Sequence, residues 1–141
     1  MRNETIRLGQ ITIYFLLEAS DTNGVMAMFE FGVPVGSKVP VPHSHELYDE
    51  TVYGLEGVIT FTVEGKTIDI AKGESYFIPR GAVHGFNNTG ESDAKALAVV
   101  TPGLIGPEFF KGCAEIVNAG GPPDMNKLKT LMEKYGLVPA K

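Results

Sequence analysis

The most regular stretch of the chain runs from Val58 to Val63, where Ile59, Phe61 and Val63 alternate with Thr60 and Thr62. A period of two built from β-branched and aromatic residues marks a strand with one buried face. The same period recurs on both sides of it. Ile11, Ile13, Phe15 and Leu17 share one face of an apolar run whose other face holds Thr12, Tyr14 and Leu16, which predicts a strand covered on both sides. Asp21-Thr22-Asn23-Gly24 predicts a hairpin turn, because Asn-Gly readily takes the positive φ values that tight hairpins need. Val25 to Val33 returns as a second strand. Pro34, Pro40 and Pro42 break the next segment, since proline has no N–H to give a ladder. Thr51–Leu55, Thr67–Ala71 (Ile68 and Ile70 inward), Ser75–Ile78, His84–Asn88 and Ala94–Thr101 read as further short strands. Glycine, proline and asparagine turns separate them, and Pro102-Gly103 closes the last. Roughly eight or nine strands at spacings of about 8–12 residues predict an all-β barrel or sandwich.

The two ends of the chain depart from this period. Residues 1–10 are polar and are expected to be loosely tied. Beyond the strands, Phe109, Cys113, Ile116 and Val117 repeat at helical spacing, as do Leu128, Leu131, Met132 and Tyr135. Gly120-Gly121-Pro122-Pro123 separates the two helices so predicted. Asp124 suits the N-terminus of the second and Gly136 its C-terminal cap. Two amphipathic helices need an apolar surface, and the outside of the barrel is the expected one.

Composition narrows the picture. The 141 residues fit one domain, with a barrel over about 11–105 and a helical extension over about 106–141. A net charge of −5 and the absence of a basic patch exclude a nucleic-acid footprint. The run Ile11–Leu17 is too short to span a membrane, which takes about 20 apolar residues, and no signal-peptide cleavage pattern follows it. The single cysteine, Cys113, cannot form an internal disulfide; on the apolar face of a helix it reads as core. A cytoplasmic protein is the expectation.

The chain has three histidines, His43, His45 and His84, all within the segment that joins the middle strands. In an extended strand His43 and His45 face the same way, about 7 Å apart along the backbone. Alone, such a pair is more often a surface or hydrogen-bonded feature than a metal site. His84 follows the Pro79-Arg80-Gly81 turn and is expected to open a strand antiparallel to the one ending at Ile78. Three carboxylates, Glu46, Asp49 and Glu50, are candidates to join the imidazoles, and spacing leaves the choice among them open. Glu50 requires a turn between Glu46 and Asp49. Three imidazoles with a carboxylate suit a divalent transition ion such as iron, manganese, nickel, copper or zinc. Met26, Met28, Ile59, Phe61 and Phe86 are the apolar positions expected to shape a pocket beside it.

Taken together these positions resemble the cupins. The first cupin motif is matched by Gly36, His43, His45, Glu50 and Gly57, with one residue more than usual between Gly36 and His43. The second is matched by Gly73, Pro79, Gly81, His84 and Asn88. The tail, with Gly121-Pro122-Pro123-Asp124 and Lys134-Tyr135-Gly136, is similar to that of small bacterial cupins related to quercetin dioxygenases. The resemblance implies a jelly-roll barrel with two C-terminal helices. It also implies metal ligation by His43, His45, Glu50 and His84, and so selects Glu50. Cupins include dioxygenases, isomerases, decarboxylases and binding proteins. A metal-dependent dioxygenase of a small organic, even aromatic, substrate is the leading expectation, with Glu50 also accepting a proton. A metal-dependent isomerase or lyase and a non-catalytic ligand-binding cupin are the alternatives. Cupin barrels commonly pair, and a homodimer is expected, with the strand at 11–17 as its surface.

Overall fold

A computed structural model describes residues 4–39 and 41–140. The alternating segments form β1 (Thr5–Leu8), β2 (Ile11–Leu17), β3 (Ala27–Val33), β4 (His43–His45), β5 (Asp49–Glu56), β6 (Val58–Val63), β7 (Lys66–Ala71), β8 (Ser75–Ile78), β9 (His84–Asn87) and β10 (Ala94–Thr101). Helices α1 (Pro107–Val117) and α2 (Met125–Lys134) follow, and a short β11 (Leu137–Pro139) ends the chain. The strands make two sheets, β1-β2-β3-β10-β5-β8 and β11-β4-β9-β6-β7, antiparallel throughout. This is the jelly-roll arrangement, with the inward positions of both sheets packed against each other. Phe31 of one sheet meets Phe61 and Phe86 of the other at ring-centroid distances of 6.5 and 5.1 Å.

Turn chemistry follows the residues. Glu64 and Gly65 both take positive φ, which matches the twist of β6 and β7 that they join; Asn23 and Gly24 take positive φ too, but within a longer loop that includes a 3-10 turn at Ala19–Asp21, so β2 and β3 are not joined by a tight hairpin. Gly57 and Gly81 sit at φ +62° and +88°, and a Cβ on Gly57 would come within 2.5 Å of Asp93 O. Glycine at those motif positions is therefore a backbone requirement. Asp124 caps α2 by accepting from the N–H groups of Asn126 and Lys127.

Four expectations need correction. Thr5–Leu8 is not loose: Ile6 and Leu8 are buried and β1 pairs with β2, so the outer sheet begins before residue 11. Ala94–Thr101 is not the last strand, because β11 returns to pair with β4. β9 does not pair with β8; the Pro79–Gly81 turn carries the chain from one sheet to the other, where β9 lies between β4 and β6. The helices do not coat the outside alone: Phe109, Phe110 and Cys113 of α1 and Leu128 and Met132 of α2 close over the interior of the barrel. Pro40 lies outside the described residues; Pro34 and Pro42 fall between strands.

Candidate metal centre

β4 and β9 lie side by side at one end of the barrel, where His43 is the register partner of His84. Side chains directly opposite across antiparallel strands share a face, and His45, two residues on, shares it too. The three rings converge at centroid distances of 4.7–5.0 Å, and the potential ligand atoms of the three lie within 4.8 Å of one another. The chain turns at Glu46–Tyr48, and β5 brings Glu50 in from the opposite sheet. Its Oε1 is 3.8 Å from Nε2 of both His45 and His84. These gaps are too long for hydrogen bonds.

The other carboxylates are placed differently. Glu46 is exposed. Asp49 accepts from the Arg80 backbone N–H (2.8 Å) and from Nε and Nη2 of its guanidinium (3.2 and 3.1 Å). Those hydrogen bonds hold the Asp49 carboxyl below its usual range. Arg80, the cation nearest the site in sequence, is thereby engaged outside it.

Tautomers follow from the backbone. His43 Nδ1–H donates to Val41 O (2.8 Å) and His84 Nδ1–H to Ala82 O (3.0 Å). A carbonyl only accepts, so each Nδ1 holds a proton, and in the neutral form of either ring the lone pair falls on Nε2, toward the cluster. Burial, reinforced by the neighbouring imidazoles, pushes His43 down to about 3 and His45 to about 2. Burial shifts Glu50 the other way, upward, against the opposing pull of His84. Three converging imidazoles, two of them with Nδ1 tied to a backbone carbonyl, and a carboxylate facing two of the three fit a divalent transition ion in donor type and arrangement.

An apolar chamber of about 90 Å³ opens from this cluster into the barrel. Phe29, Phe31, Phe61 and Phe86 line it from the sheets, Leu137 lines it beside His45, and α1 and α2 complete the wall. Phe61 and Phe86 are thus at the chamber. Ile59 is buried but does not line it, and Met26 and Met28 are half-buried away from it. The inward face of β3 is Ala27, Phe29, Phe31 and Val33. Methionines at 26 and 28 share a face with Glu30, and that charge marks the outer side.

A cupin domain model matches residues 29–100. The chain belongs to the cupin family. Within it, the chain is 32% identical over 89 residues to quercetin 2,3-dioxygenase of Bacillus subtilis, covering 63% of this chain and 26% of that protein. It is 32% identical over 93 residues to an oxalate-binding protein of Thermotoga maritima, covering 65% and 76%. A solved structure described as a predicted oxalate decarboxylase, also from Thermotoga maritima, superposes with a TM-score of 0.63 at 29% identity, over 72% of this chain and 93% of that one. The match thus spans about a quarter of the Bacillus dioxygenase. Among the described residues no helix is long and apolar enough to cross a membrane.

Two features of this cupin's site gave no motif signal. Tyr48 is fully buried, with its ring stacked on His45 at 4.5 Å and an interplanar angle of 24°. Burial pushes its phenol above its ordinary range. The far wall of the chamber comes from α1 and α2, whose amphipathic period was legible although its target was not.

Proposed function

We propose that this cupin is a metal-dependent dioxygenase of a small, uncharged, oxygen-bearing substrate smaller than an aromatic ring. The observation that carries the reading is the contrast between the cluster and its chamber. Among the described residues, polar lining groups are confined to His43, His45, His84 and Glu50, and every other lining residue is apolar or the Cys113 thiol. No described Arg or Lys lines the chamber, so a sugar phosphate or a free dianion such as oxalate would meet no cationic side chain among them. The chamber's volume of about 90 Å³ falls short of the about 150 Å³ at which a dry apolar cavity holds one benzene, so a short aliphatic substrate fits and an aromatic ring does not.

His43, His45 and His84, through Nε2, and Glu50, through a carboxylate oxygen, would hold one divalent ion from the iron, manganese, nickel, copper and zinc group. Such an ion would supply coordination positions for a substrate oxygen and for dioxygen. The protein's own part is threefold. The phenylalanine walls orient the substrate and exclude water. The backbone carbonyls of Val41 and Ala82 keep two imidazoles in the ligating tautomer. The Glu50 carboxylate, facing the cluster, accepts the substrate hydroxyl proton. Both atoms of O₂ enter the product, and the cleaved substrate bonds supply the electrons.

The test is oxygen uptake by protein loaded in turn with each metal, using short aliphatic enediols and hydroxyketones, with catechol and a flavonol for comparison. Uptake with the aliphatic substrates and little with either aromatic supports the reading. Turnover of such substrates without oxygen would replace it with the isomerase or lyase reading, and binding without turnover with the ligand-binding one.

We also propose a homodimer. Leu17, Met28, Val99, Thr51 and Phe77 are successive register partners across the outer face of the six-stranded sheet, all half-buried or exposed. This row shifts the expected surface from the 11–17 strand to the whole sheet. A monomeric mass by light scattering at working concentration counts against pairing.

A further inference from the structure

The strand bearing two of the three histidines is only three residues long, and its support is uneven. Toward the barrel, β4 has one register pair with β9, His43 opposite His84, and one flanking bond, Gly81 N–H to His45 O at 2.8 Å. Toward the edge, β4 has three register pairs with β11: Leu137 with His45, Val138 with Ser44, and Pro139 with His43. Two further bonds extend that ladder, Glu46 N–H to Gly136 O (2.9 Å) and Ala140 N–H to Pro42 O (2.8 Å). Antiparallel pairs alternate between bonded and non-bonded positions, so these two bonds place Val138 and Ser44 at the bonded position between them. Pro139 falls at a non-bonded position, where its missing N–H costs the ladder nothing and leaves the sheet edge without a donor.

Side chains reinforce the same link. Tyr48 stacks on His45 and donates its hydroxyl to Tyr135 O (3.3 Å) at the end of α2. Leu137, buried opposite His45, lines the chamber. The helix leading into β11 also sends Leu128 and Met132 into the chamber wall. The partners that these contacts bring to the strand and the chamber, Leu128, Met132, Tyr135 and Leu137, all lie beyond residue 100, where the family match stops.

We propose that the C-terminal strap, Tyr135–Ala140, is a positioning element of the metal centre, holding the strand of His43 and His45 and tying it to the helix that walls the substrate chamber. The inference rests on the metal-centre reading above. It adds that these ligands are fixed by a part of the chain outside the family's core, within two residues of a helix that touches the substrate space. A ligand pressing on Leu128 or Met132 is thereby mechanically connected to the imidazoles.

The test uses full-length protein and cobalt(II) as the probe, reading its dissociation constant by chelator competition and its visible absorption. Val138→Pro removes one ladder N–H, whereas Val138→Ala keeps it and trims a partly exposed side chain. Outer partners of ligating histidines typically change metal affinity by about 10–100-fold when lost. Val138→Pro is expected to weaken cobalt binding by about tenfold or more and to alter the spectrum, while Val138→Ala keeps both native. Tyr48→Phe retains the stacked ring and loses only the hydroxyl bond; it is expected to shift the cobalt spectrum with native far-UV circular dichroism. If Val138→Pro does not fold, Tyr48→Phe decides the matter. Native affinity and spectrum in the folded proline variant, or in Tyr48→Phe where the proline variant fails to fold, overturn the inference while the metal-centre reading stands. A native protein that takes up no cobalt overturns both.

Discussion

Met132→Ala offers a quantitative check on the chamber. Met132 is 4% exposed and its side chain forms part of the wall between α2 and the barrel interior. Removing Cγ, Sδ and Cε frees on the order of 60 Å³, about the liquid volume of two waters. Added to the existing cavity of about 90 Å³, that reaches on the order of 150 Å³, a size at which a dry apolar cavity accepts benzene. Truncating a buried methionine costs about 2–5 kcal/mol. The low end applies here, because one side of Met132 already faces the void and has fewer packing contacts to lose. A loss of about 2–3 kcal/mol corresponds to a Tm lower by roughly 5–10 °C. The assay is thermal unfolding of metal-free protein with and without saturating benzene. Benzene should raise the Tm of Met132→Ala, since a ligand of the folded state stabilises by RT ln(1 + [L]/Kd), and should raise that of the native protein much less. An equal benzene shift in both proteins, or a Tm unchanged by the substitution, would refute the placement of Met132 at a chamber of this size.

Three further outcomes follow from the same geometry. Gly54→Ala places a Cβ against the Ala71 carbonyl, which is backbone and cannot swing aside; a loss of about 3 kcal/mol or more is expected in urea unfolding, and a loss under about 1 kcal/mol would show that β5 and β7 are not so close. His84→Gln should abolish tight divalent-metal uptake, measured by elemental analysis after dialysis, while circular dichroism stays native; full metal retention would remove His84 from the ligand set. The metal-free protein should lose stability as pH falls from about 6.5. His43 and His45 are held near 3 and 2 in the folded chain, so the unfolded chain binds more protons across that window. Glu50, shifted upward, opposes this, so the loss between pH 7 and 4.5 falls short of the about 5 kcal/mol that the two imidazoles alone would give; a flat profile in chelator-treated protein would contradict neutral buried imidazoles at His43 and His45.

Local period carried much of this structure. Val58–Val63 needed only its own alternation to be placed correctly, and the turns at Asn23-Gly24 and Glu64-Gly65 needed only residues that tolerate positive φ. Alternation also gave His43 and His45 a common direction. It could not choose Glu50 over Glu46 and Asp49, because that depends on where the chain turns after His45; the cupin motif supplied the choice. β3 shows a signal present but misweighed. In Met26-Ala27-Met28-Phe29-Glu30-Phe31 nearly every position is apolar, and Glu30, the one charge, assigns the even residues to the outside.

What alternation never specifies is the neighbour. Ser75–Ile78 and His84–Asn87 are both recognisable strands, and a proline-glycine turn between them suggests a hairpin; only long-range pairing, Ile78 with Glu50 and His84 with His43, separates them into two sheets. That separation makes the site, since Glu50 on one sheet can face the histidines on the other only at the end where the chain crosses over. The same reasoning explains β11. Leu137-Val138-Pro139 is too short to carry a period, and it becomes a strand because β4 offers it an open edge. β4 has that open edge because, without β11, the order β4-β9-β6-β7 would end there. The least legible strand is thus the one that completes the support of the most legible residues, and the stability of the histidine pair depends on a segment that no cupin motif includes.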